Sequence, residues 1–211
     1  MIKTAFLVSG GGTNLQAVID ANIFDEIPNC ELTAVISSDP DAYAVTRAKS
    51  ARIPVYIVEA GVFPNNASFC NALLGKLRDL DIDLVVMAGF NYKLEPLLVR
   101  HFKNRIIDVY PSLLPAFYID QPAGIRPHEM ALEYGVKISG ASVYFVSETE
   151  EPGPVLLQQA VEVWEGDTPM TLQRRIMEEA EWKLLPKAIA LFCSGRISID
   201  GRKAGILAEE K

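Results

Sequence analysis

The feature that most constrains the fold is the alternation of short apolar runs with helical segments through the first 110 residues. Continuous apolar runs such as "KTAFLVS" (3–9) are typical of parallel strands covered on both faces, and the helical spacing of "TNLQAVIDA" (13–21) follows directly. The same alternation predicts strands in "ELTAVISS" (31–38), "RIPVYIV" (52–58), "DLVVMAGF" (83–90) and "RIIDVY" (105–110), and helices in "DAYAVTRAKSA" (41–51), capped by Asp39 or Asp41, and "NASFCNALLGKLRDL" (66–80). We therefore expect βαβ units in an open, mostly parallel α/β sheet.

A second pattern begins after residue 137. Two long strand candidates, "ISGASVYFV" (138–146) and "PVLLQQAVEVW" (154–164), are joined by the acidic stretch "SETEEPG" (147–153). This predicts an antiparallel hairpin added to the parallel sheet. A long helix should follow, and then a terminal hairpin in "RISIDGRKAGIL" with an Asp-Gly turn. We expect this helix to start with Asp167 or Thr168 as N-cap and Pro169 in the first turn. Pro186 should kink it, and Gly195 should end it.

The composition indicates one α/β domain spanning residues 1–211. Of the 211 residues, 49% are hydrophobic, and the net charge of -7 disfavours nucleic acid or an anionic membrane as a partner. The apolar N-terminal run is too short for a signal peptide, and no later run approaches a membrane span. Three widely separated cysteines fit reduced thiols, so we expect a cytoplasmic protein. Neither of the two histidines has partners at ligand spacing, which predicts no metal.

The glycine run "SGGGTN" (9–14) lies between the first strand and the first helix. Backbone amides in such a run can approach an anion, and the helix N-terminus adds orphan N–H groups and partial positive charge. The dinucleotide signature is missing because Leu15 replaces its third glycine, and the Gly-Lys-Ser/Thr of the P-loop is absent. A small phosphorylated ligand and a purely structural tight turn are the remaining interpretations.

Further candidate residues follow two later strands. Asn91, Tyr92 and Lys93 lie beyond the fourth strand, where ligands bind in open α/β sheets. We expect the fifth strand to end beside the fourth and the first. Alternation puts Asp108 and Tyr110 on one face, so both should reach the edge that carries the glycine run. The alternatives are an ordinary turn after the fourth strand, and capping by Asp108 with packing by Tyr110. The acidic stretch is either a solvated loop or the source of one carboxylate that faces this pocket.

Five segments stand in the order and spacing of the glycinamide ribonucleotide formyltransferase family, which the chain resembles over nearly its whole length. These are "VSGGGTNLQAVIDA", "DIDLVVMAGFNYKL", "PSLLPAF", "HEMALEYGVKISGASVYFV" and "GPVLLQQAVEV". The resemblance implies a Rossmann-like formyltransferase fold, with a phosphate-binding half (1–100) and a folate-binding half (101–211). It implies transfer of a formyl group from the co-substrate 10-formyltetrahydrofolate to the amine of glycinamide ribonucleotide in purine synthesis. Small-molecule substrates are thus the expected partners, and a homodimer is left open.

The resemblance also implies binding residues. The ribonucleotide phosphate would be held by Gly11, Gly12, Thr13 and Asn14, and Glu181 matches the ribose-binding glutamate. The folate pterin would lie against Tyr92, Lys93, Leu94, Val146 and Glu150. Residues 91–94 depart from the family here, which usually has Met-Arg-Ile-Leu.

The catalytic positions depart further. Where the family has Asn, His and Asp, this chain has Asp108, Tyr110 and Glu151. An insertion around "FYIDQPAG" (117–124) leaves either Arg126 or His128 opposite a further family histidine.

These substitutions change the expected chemistry. An ionised Asp108 repels a developing oxyanion, whereas an Asp108 kept protonated by burial beside Glu151 can donate to it. Tyr110 can donate but is a weak base near neutral pH, and Glu151 reaches one methylene further than Asp. Three activities therefore stay open: altered or weakened formyl transfer to glycinamide ribonucleotide or a related amine, binding of a phosphorylated ligand or folate without the family's chemistry, and hydrolysis of formyl-folate.

Overall fold

The computed structural model describes residues 1–120, 123–149 and 152–208. These residues form a nine-stranded sheet in the order β3-β2-β1-β4-β5-β6-β7-β9-β8. The strands are β1 (Ile2–Val8), β2 (Cys30–Ser37), β3 (Val55–Ile57), β4 (Leu84–Met87), β5 (Ile106–Tyr110), β6 (Ile138–Phe145), β7 (Val155–Glu162), β8 (Ile197–Asp200) and β9 (Lys203–Ile206). The helices are α1 (Thr13–Ile23), α2 (Tyr43–Ser50), α3 (Asn66–Asp79), α4 (Pro96–His101), α5 (Arg126–Tyr134), α6 (Pro169–Ile176) and α7 (Trp182–Cys193), with a 3₁₀ turn at Ala60–Val62 and a wider π-helical turn at Met177–Glu181.

The first five strands are parallel, and β6 and β7 continue the sheet as an antiparallel pair. Every residue of β4 and β5 is buried, which fits the unbroken apolar run of β4 and leaves Asp108 as a buried charged residue in β5. One core cluster packs under α1, α6 and α7, and another packs under α3 and α4 on the opposite face. The expected open, mostly parallel α/β sheet with an added antiparallel hairpin is therefore confirmed. Each helix in the described ranges falls short of the length and apolarity needed to cross a membrane.

Two local expectations are wrong. The fifth strand lies between β4 and β6, so β4 separates it from β1. The second helix begins after Ala42 with no side-chain cap, because the carboxylate of Asp39 accepts the backbone N–H of Asp41 at 2.9 Å instead. The turn before α2 is thus closed by a local side-chain bond that competes with capping.

The C-terminal helix starts as predicted and then departs from regular geometry. Thr168 caps it by accepting the backbone N–H of Thr171 at 3.2 Å, and Pro169 occupies the first turn. The chain then passes through the π-helical turn into α7, which continues through Pro186. Gly195 follows the end with a φ of 66°. The irregular turn lies just before the segment in which Pro186 removes a ladder hydrogen bond.

Candidate active site

The glycine run forms a loop between β1 and α1 that is shaped by the start of α2. Gly12 has a φ of 69°, and a Cβ atom there would lie 2.7 Å from the Cβ of Ala44. The backbone N–H of Ala44 donates to Gly10 at 3.0 Å, and Arg47 donates through Nε to the carbonyl of Gly11 at 2.9 Å. Glycine is therefore required at position 12 by both backbone conformation and close packing.

The first turn of α1 faces this loop without a side-chain cap. Its orphan N–H groups and the helix dipole make the loop suited to an anion. Thr13, in that first turn, lines a groove of about 660 Å³ between α1 and α7. Gly11 has open space where a side chain would stand.

Asn14 and Glu181 meet beside the glycine loop. The amide Nδ2 of Asn14 donates to Oε2 of Glu181 at 2.8 Å, joining α1 to the π-helical turn. Glu181 is buried, and burial raises its pKa to about 7, while the bond from Asn14 opposes that shift. Among the described residues, the buried Oδ1 of Asn14 and Nε1 of Trp182 have no hydrogen-bond partner. The structure thus brings the expected phosphate-binding and ribose-binding residues together and leaves two polar atoms unsatisfied there.

A second site lies beyond the carboxyl end of β4, and we call it the β4 pocket. Tyr92, Lys93, Leu94 and Val146 line it together with Asp108. Four of the five expected folate-binding residues therefore surround the same cavity as one expected catalytic residue. The fifth, Glu150, and the expected catalytic Glu151 lie outside the described residues.

Among the carboxyl groups that line the β4 pocket, Asp108 has the pKa that departs most from its ordinary value. It is 4% exposed, and its Oδ2 accepts the hydroxyl of Tyr144 at 2.9 Å while Oδ1 accepts the backbone N–H of Val109 at 2.8 Å. Burial raises the pKa of Asp108 to about 7, the two hydrogen bonds oppose the shift, and the charge of Glu181 adds to it. Near neutral pH, Asp108 therefore occupies both protonation states.

Tyr110 is placed differently from the expectation that it shares the site with Asp108. Its hydroxyl accepts the backbone N–H of Ile119 at 2.8 Å and lies 3.2 Å from the carbonyl of Phe117, to which it donates. Burial raises its pKa to about 12, and it does not line the β4 pocket. The structure therefore engages this phenol in holding the inserted segment, and its catalytic assignment stays a prediction.

The inserted segment narrows the β4 pocket. The ring of Tyr118 packs against that of Tyr110 at a tilt of 47°, with ring centroids 5.0 Å apart, and Asp120 pairs with Lys93 at 2.9 Å. Tyr118 and Asp120 both line the pocket, whose volume is about 70 Å³, against roughly 300–1,000 Å³ for typical small-molecule sites. The β4 pocket alone is therefore smaller than a ligand of folate's size, and it shares Val146, Ser147, Glu148, Thr149 and Pro152 with an adjoining cavity of about 280 Å³.

Neither candidate for the further family histidine reaches this pocket. Arg126 is exposed and pairs with Glu129 and Glu133, both at 3.1 Å. His128 is fully buried, and neither ring nitrogen has a partner in the described ranges. Burial lowers its pKa to about 4, which keeps it neutral at physiological pH. The described residues contain no cluster of three or more metal-ligating side chains.

Comparison with known proteins shows which family has this architecture. A family described as "Formyl transferase" matches residues 2–189. The phosphoribosylglycinamide formyltransferase of Haemophilus influenzae is 36% identical over 199 residues, which cover 94% of this chain and 91% of that protein.

The chain belongs to the formyl transferase family. Among solved structures, glycinamide ribonucleotide transformylase 1 from Symbiobacterium toebii superposes with a TM-score of 0.92 at 40% identity, covering 99% of this chain and 95% of that one. A formyltetrahydrofolate deformylase from Pseudomonas syringae superposes with a TM-score of 0.87 at 23% identity, covering 98% of this chain and 66% of that one, and that likeness concerns the fold alone. In this member of the family, Asp108 and Tyr144 line the β4 pocket and are joined by a hydrogen bond.

Three residues that line the β4 pocket were not predicted from the sequence: Tyr144, Tyr118 and Asp120. Tyr144 lies in a predicted strand, but its meeting with Asp108 depends on the β5–β6 register, which no local pattern fixes. Tyr118 and Asp120 lie in an insertion without secondary structure, so neither periodicity nor the resemblance pointed to them.

Proposed function

We propose that this chain transfers a formyl group from 10-formyltetrahydrofolate to the amine of glycinamide ribonucleotide, in purine biosynthesis. The observation that carries the proposal is the match, at 36–40% identity over more than nine tenths of both chains, to proteins named for this reaction. The arrangement of two sites along one sheet edge supports it. One is an uncapped helix N-terminus suited to a phosphate, and the other is a pocket with a titrating carboxyl.

In this proposal the two sites divide the substrates. The ribonucleotide phosphate binds at the glycine loop through Gly11, Gly12, Thr13 and Asn14, and the ribose binds Glu181. The folate binds in the β4 pocket against Tyr92, Lys93, Leu94, Val146 and Glu150, after residues 117–120 move. Asp108 carries the proton transfer, with Glu151 and Tyr110 as further proposed catalytic residues.

We also propose that residues 1–211 act as one unit, with residues 1–100 as the phosphate-binding half and 101–211 as the folate-binding half. Two contributions cross this division, because Glu181 comes from the second half and Tyr92–Leu94 from the first. A cytoplasmic location, no metal and no nucleic-acid partner complete the proposal, and a homodimer stays open. Light scattering of the purified protein would decide its assembly state.

A turnover assay tests the function. Purified protein is mixed with 10-formyltetrahydrofolate, with and without glycinamide ribonucleotide, and release of deformylated folate is followed. Turnover that depends on the amine is the expected result. Turnover without the amine would instead identify a formyl-folate hydrolase and overturn the proposal.

One observation favours a second candidate, which is binding without the family's chemistry. The β4 pocket holds only about 70 Å³, and Tyr110 is occupied by the inserted segment. A protein of this kind would bind the ribonucleotide at the glycine loop but release no deformylated folate under either condition. Calorimetric titration with glycinamide ribonucleotide, run beside the turnover assay, distinguishes this outcome from a misfolded preparation.

A further inference from the structure

Asp108 and Tyr144 face each other across the β5–β6 strand pair. They are direct partners in the antiparallel register, and the hydroxyl–carboxyl distance is 2.9 Å. Both are 4% exposed, and both line the β4 pocket. Because the backbone of Val109 holds the other carboxyl oxygen, Tyr144 is the side chain that fixes Asp108 in this pocket.

We propose that Tyr144 is a positioning residue for formyl transfer: its hydroxyl holds the Asp108 carboxyl so that it serves first as proton acceptor and then as part of a hydrogen-bond donor. This inference rests on the proposed function. It concerns a residue to which the resemblance assigns no role.

Tyr144 suits this role because it keeps its proton. Burial and the neighbouring Asp108 charge raise its pKa well above the ordinary tyrosine value. A phenol that stays protonated donates to an ionised carboxylate and accepts from a neutral carboxylic acid. When Asp108 is ionised, the Tyr144 O–H donates to its carboxylate. When Asp108 is neutral, the pair has one further O–H that can donate to a group in the pocket.

The reaction then balances within the pair and the substrates. The acceptor amine nitrogen bonds to the formyl carbon, and the carbonyl electron pair moves to the oxygen. Ionised Asp108 takes the proton that the amine loses, and the neutral Asp108–Tyr144 pair donates to the oxyanion. When the oxyanion collapses, the bond from the formyl carbon to N10 of the folate breaks. Asp108 returns its proton to that nitrogen and is ionised again.

Tyr110 cannot substitute for Tyr144 in this arrangement. Its phenol lies on the same face of the sheet, but its oxygen is engaged by the backbone of Phe117 and Ile119. The two tyrosines therefore divide the work, since Tyr110 holds the inserted segment and Tyr144 holds the carboxyl.

Charged and titratable groups face Asp108 from several elements. They are Glu181 from the π-helical turn, Tyr144 from β6, Tyr110 from its own strand, and Tyr92, Lys93, Tyr118, Asp120 and Glu148 from the pocket wall. Lys93 is paired with Asp120, and Glu148 accepts from Arg100 at 2.8 Å. Glu181 is thus the carboxyl whose charge adds to the raised pKa of Asp108, while burial is the main cause that raises the pKa of each group to about 7.

Two readouts test the proposal on the full chain: the pH profile of kcat between pH 5 and 9, and a ¹³C NMR titration of the Asp108 carboxyl, assigned with Asp108→Asn. Tyr144→Phe removes a hydrogen bond that lowers the pKa of Asp108. We expect the acid limb and the NMR midpoint to rise by about one pH unit, with kcat at pH 7 falling about fivefold. Glu181→Gln removes a charge that raises this pKa, so it should move both downward. Tyr134→Phe, at an exposed phenol, should move neither.

An acid limb and midpoint that stay in place in folded Tyr144→Phe would overturn the proposal. The proposal would also be overturned if Tyr144→Phe lowered kcat by the same factor in the Asp108→Asn variant as in the wild type. Tyr144 would then act independently of Asp108. If the Phe variant does not fold, Tyr144→His is used instead, because its ring can still donate a hydrogen bond to Asp108. A midpoint for Asp108 that rises by about one pH unit in this variant, as expected for loss of the donor, counts against the proposal. Wild-type protein without amine-dependent turnover would defeat the proposed function, while the NMR midpoints would still decide whether Tyr144 controls Asp108.

Discussion

The glycine-loop site and the β4 pocket each hold a buried carboxyl with a pKa near 7, but they hold it by different means. Glu181 is bonded to the amide of Asn14, beside a loop that needs glycine at position 12. Asp108 is bonded to the phenol of Tyr144 on two regular strands. In the first region the backbone at Gly12 shapes the site, so a side chain at that position disturbs the fold. In the second the side chains form the site on an ordinary ladder, so they can change while the backbone stays the same.

Asp108→Asn should have the largest effect, because it removes the proton acceptor from the β4 pocket. We expect kcat to fall by about 10²–10⁴-fold, with loss of the acid limb in the pH profile of the residual activity. Steady-state kinetics from pH 5 to 9 measure both. Faster turnover by the Asn variant would mean that the site needs only a donor and that the carboxylate inhibits it.

The two buried carboxyls should also lower stability as pH rises. Their folded pKa values, about 7, exceed the values near 4 of unfolded chains. Stability is therefore full below about pH 4 and is lost as pH rises through 7. Each group should contribute at most about 4 kcal/mol to this loss.

Urea unfolding at pH 5 and pH 8 measures this slope. Asp108→Asn and Glu181→Gln should each flatten it, and Glu165→Gln, at an exposed side chain, should leave it unchanged. A wild-type slope that neither buried substitution alters would show that the two carboxyls are not the source.

Gly12→Ala tests whether the glycine loop is fixed by the backbone. The left-handed conformation costs about 1–3 kcal/mol for a residue with a side chain, and the new Cβ would contact Ala44. Gly11→Ala is the matched control, since open space surrounds that position, and we expect its stability to change by less than about 0.5 kcal/mol. Chemical denaturation measures both variants. If Gly12→Ala and Gly11→Ala lost equal amounts of stability, the backbone at Gly12 would not be what distinguishes the glycine loop from the β4 pocket.

Asn14→Ala should weaken ribonucleotide binding about tenfold, because it removes an amide at the loop and leaves Glu181 without its partner. Calorimetric titration with glycinamide ribonucleotide measures the change. Asn22→Ala in the same helix is the control and should bind like the wild type. Unchanged affinity in the Asn14 variant would count against a phosphate site at this loop.

Asp120→Asn should have the smallest effect. It breaks an ion pair with Lys93 whose side chains are 47% and 50% exposed, so its contribution to stability is small. If residues 117–120 must shift to admit folate, the variant should lower KM for 10-formyltetrahydrofolate by a few-fold. A rise in KM would instead show that Asp120 contacts the folate.

The sequence predicted the parts of the molecule that depend on local pattern. The apolar runs of β1 to β5, the Thr168 cap and the glycine loop each follow from composition and spacing within about ten residues. The partnership of Asp108 with Tyr144 joins positions 36 residues apart through strand register, and the bonds of Tyr110 depend on how an irregular insertion folds back. Such contacts arise from tertiary packing, which no local pattern encodes.

The π-helical turn at Met177–Glu181 has a consequence for how this site can be lost. A π-helical turn holds one residue more than an α-helical turn, so it offsets the angular phase of everything after it by about 100°. Removing one codon from the stretch Met177–Ala180 would take out this extra residue and keep every site residue in the chain. Glu181 would then point away from Asn14, so a deletion of one residue could abolish a binding site that no substitution had touched.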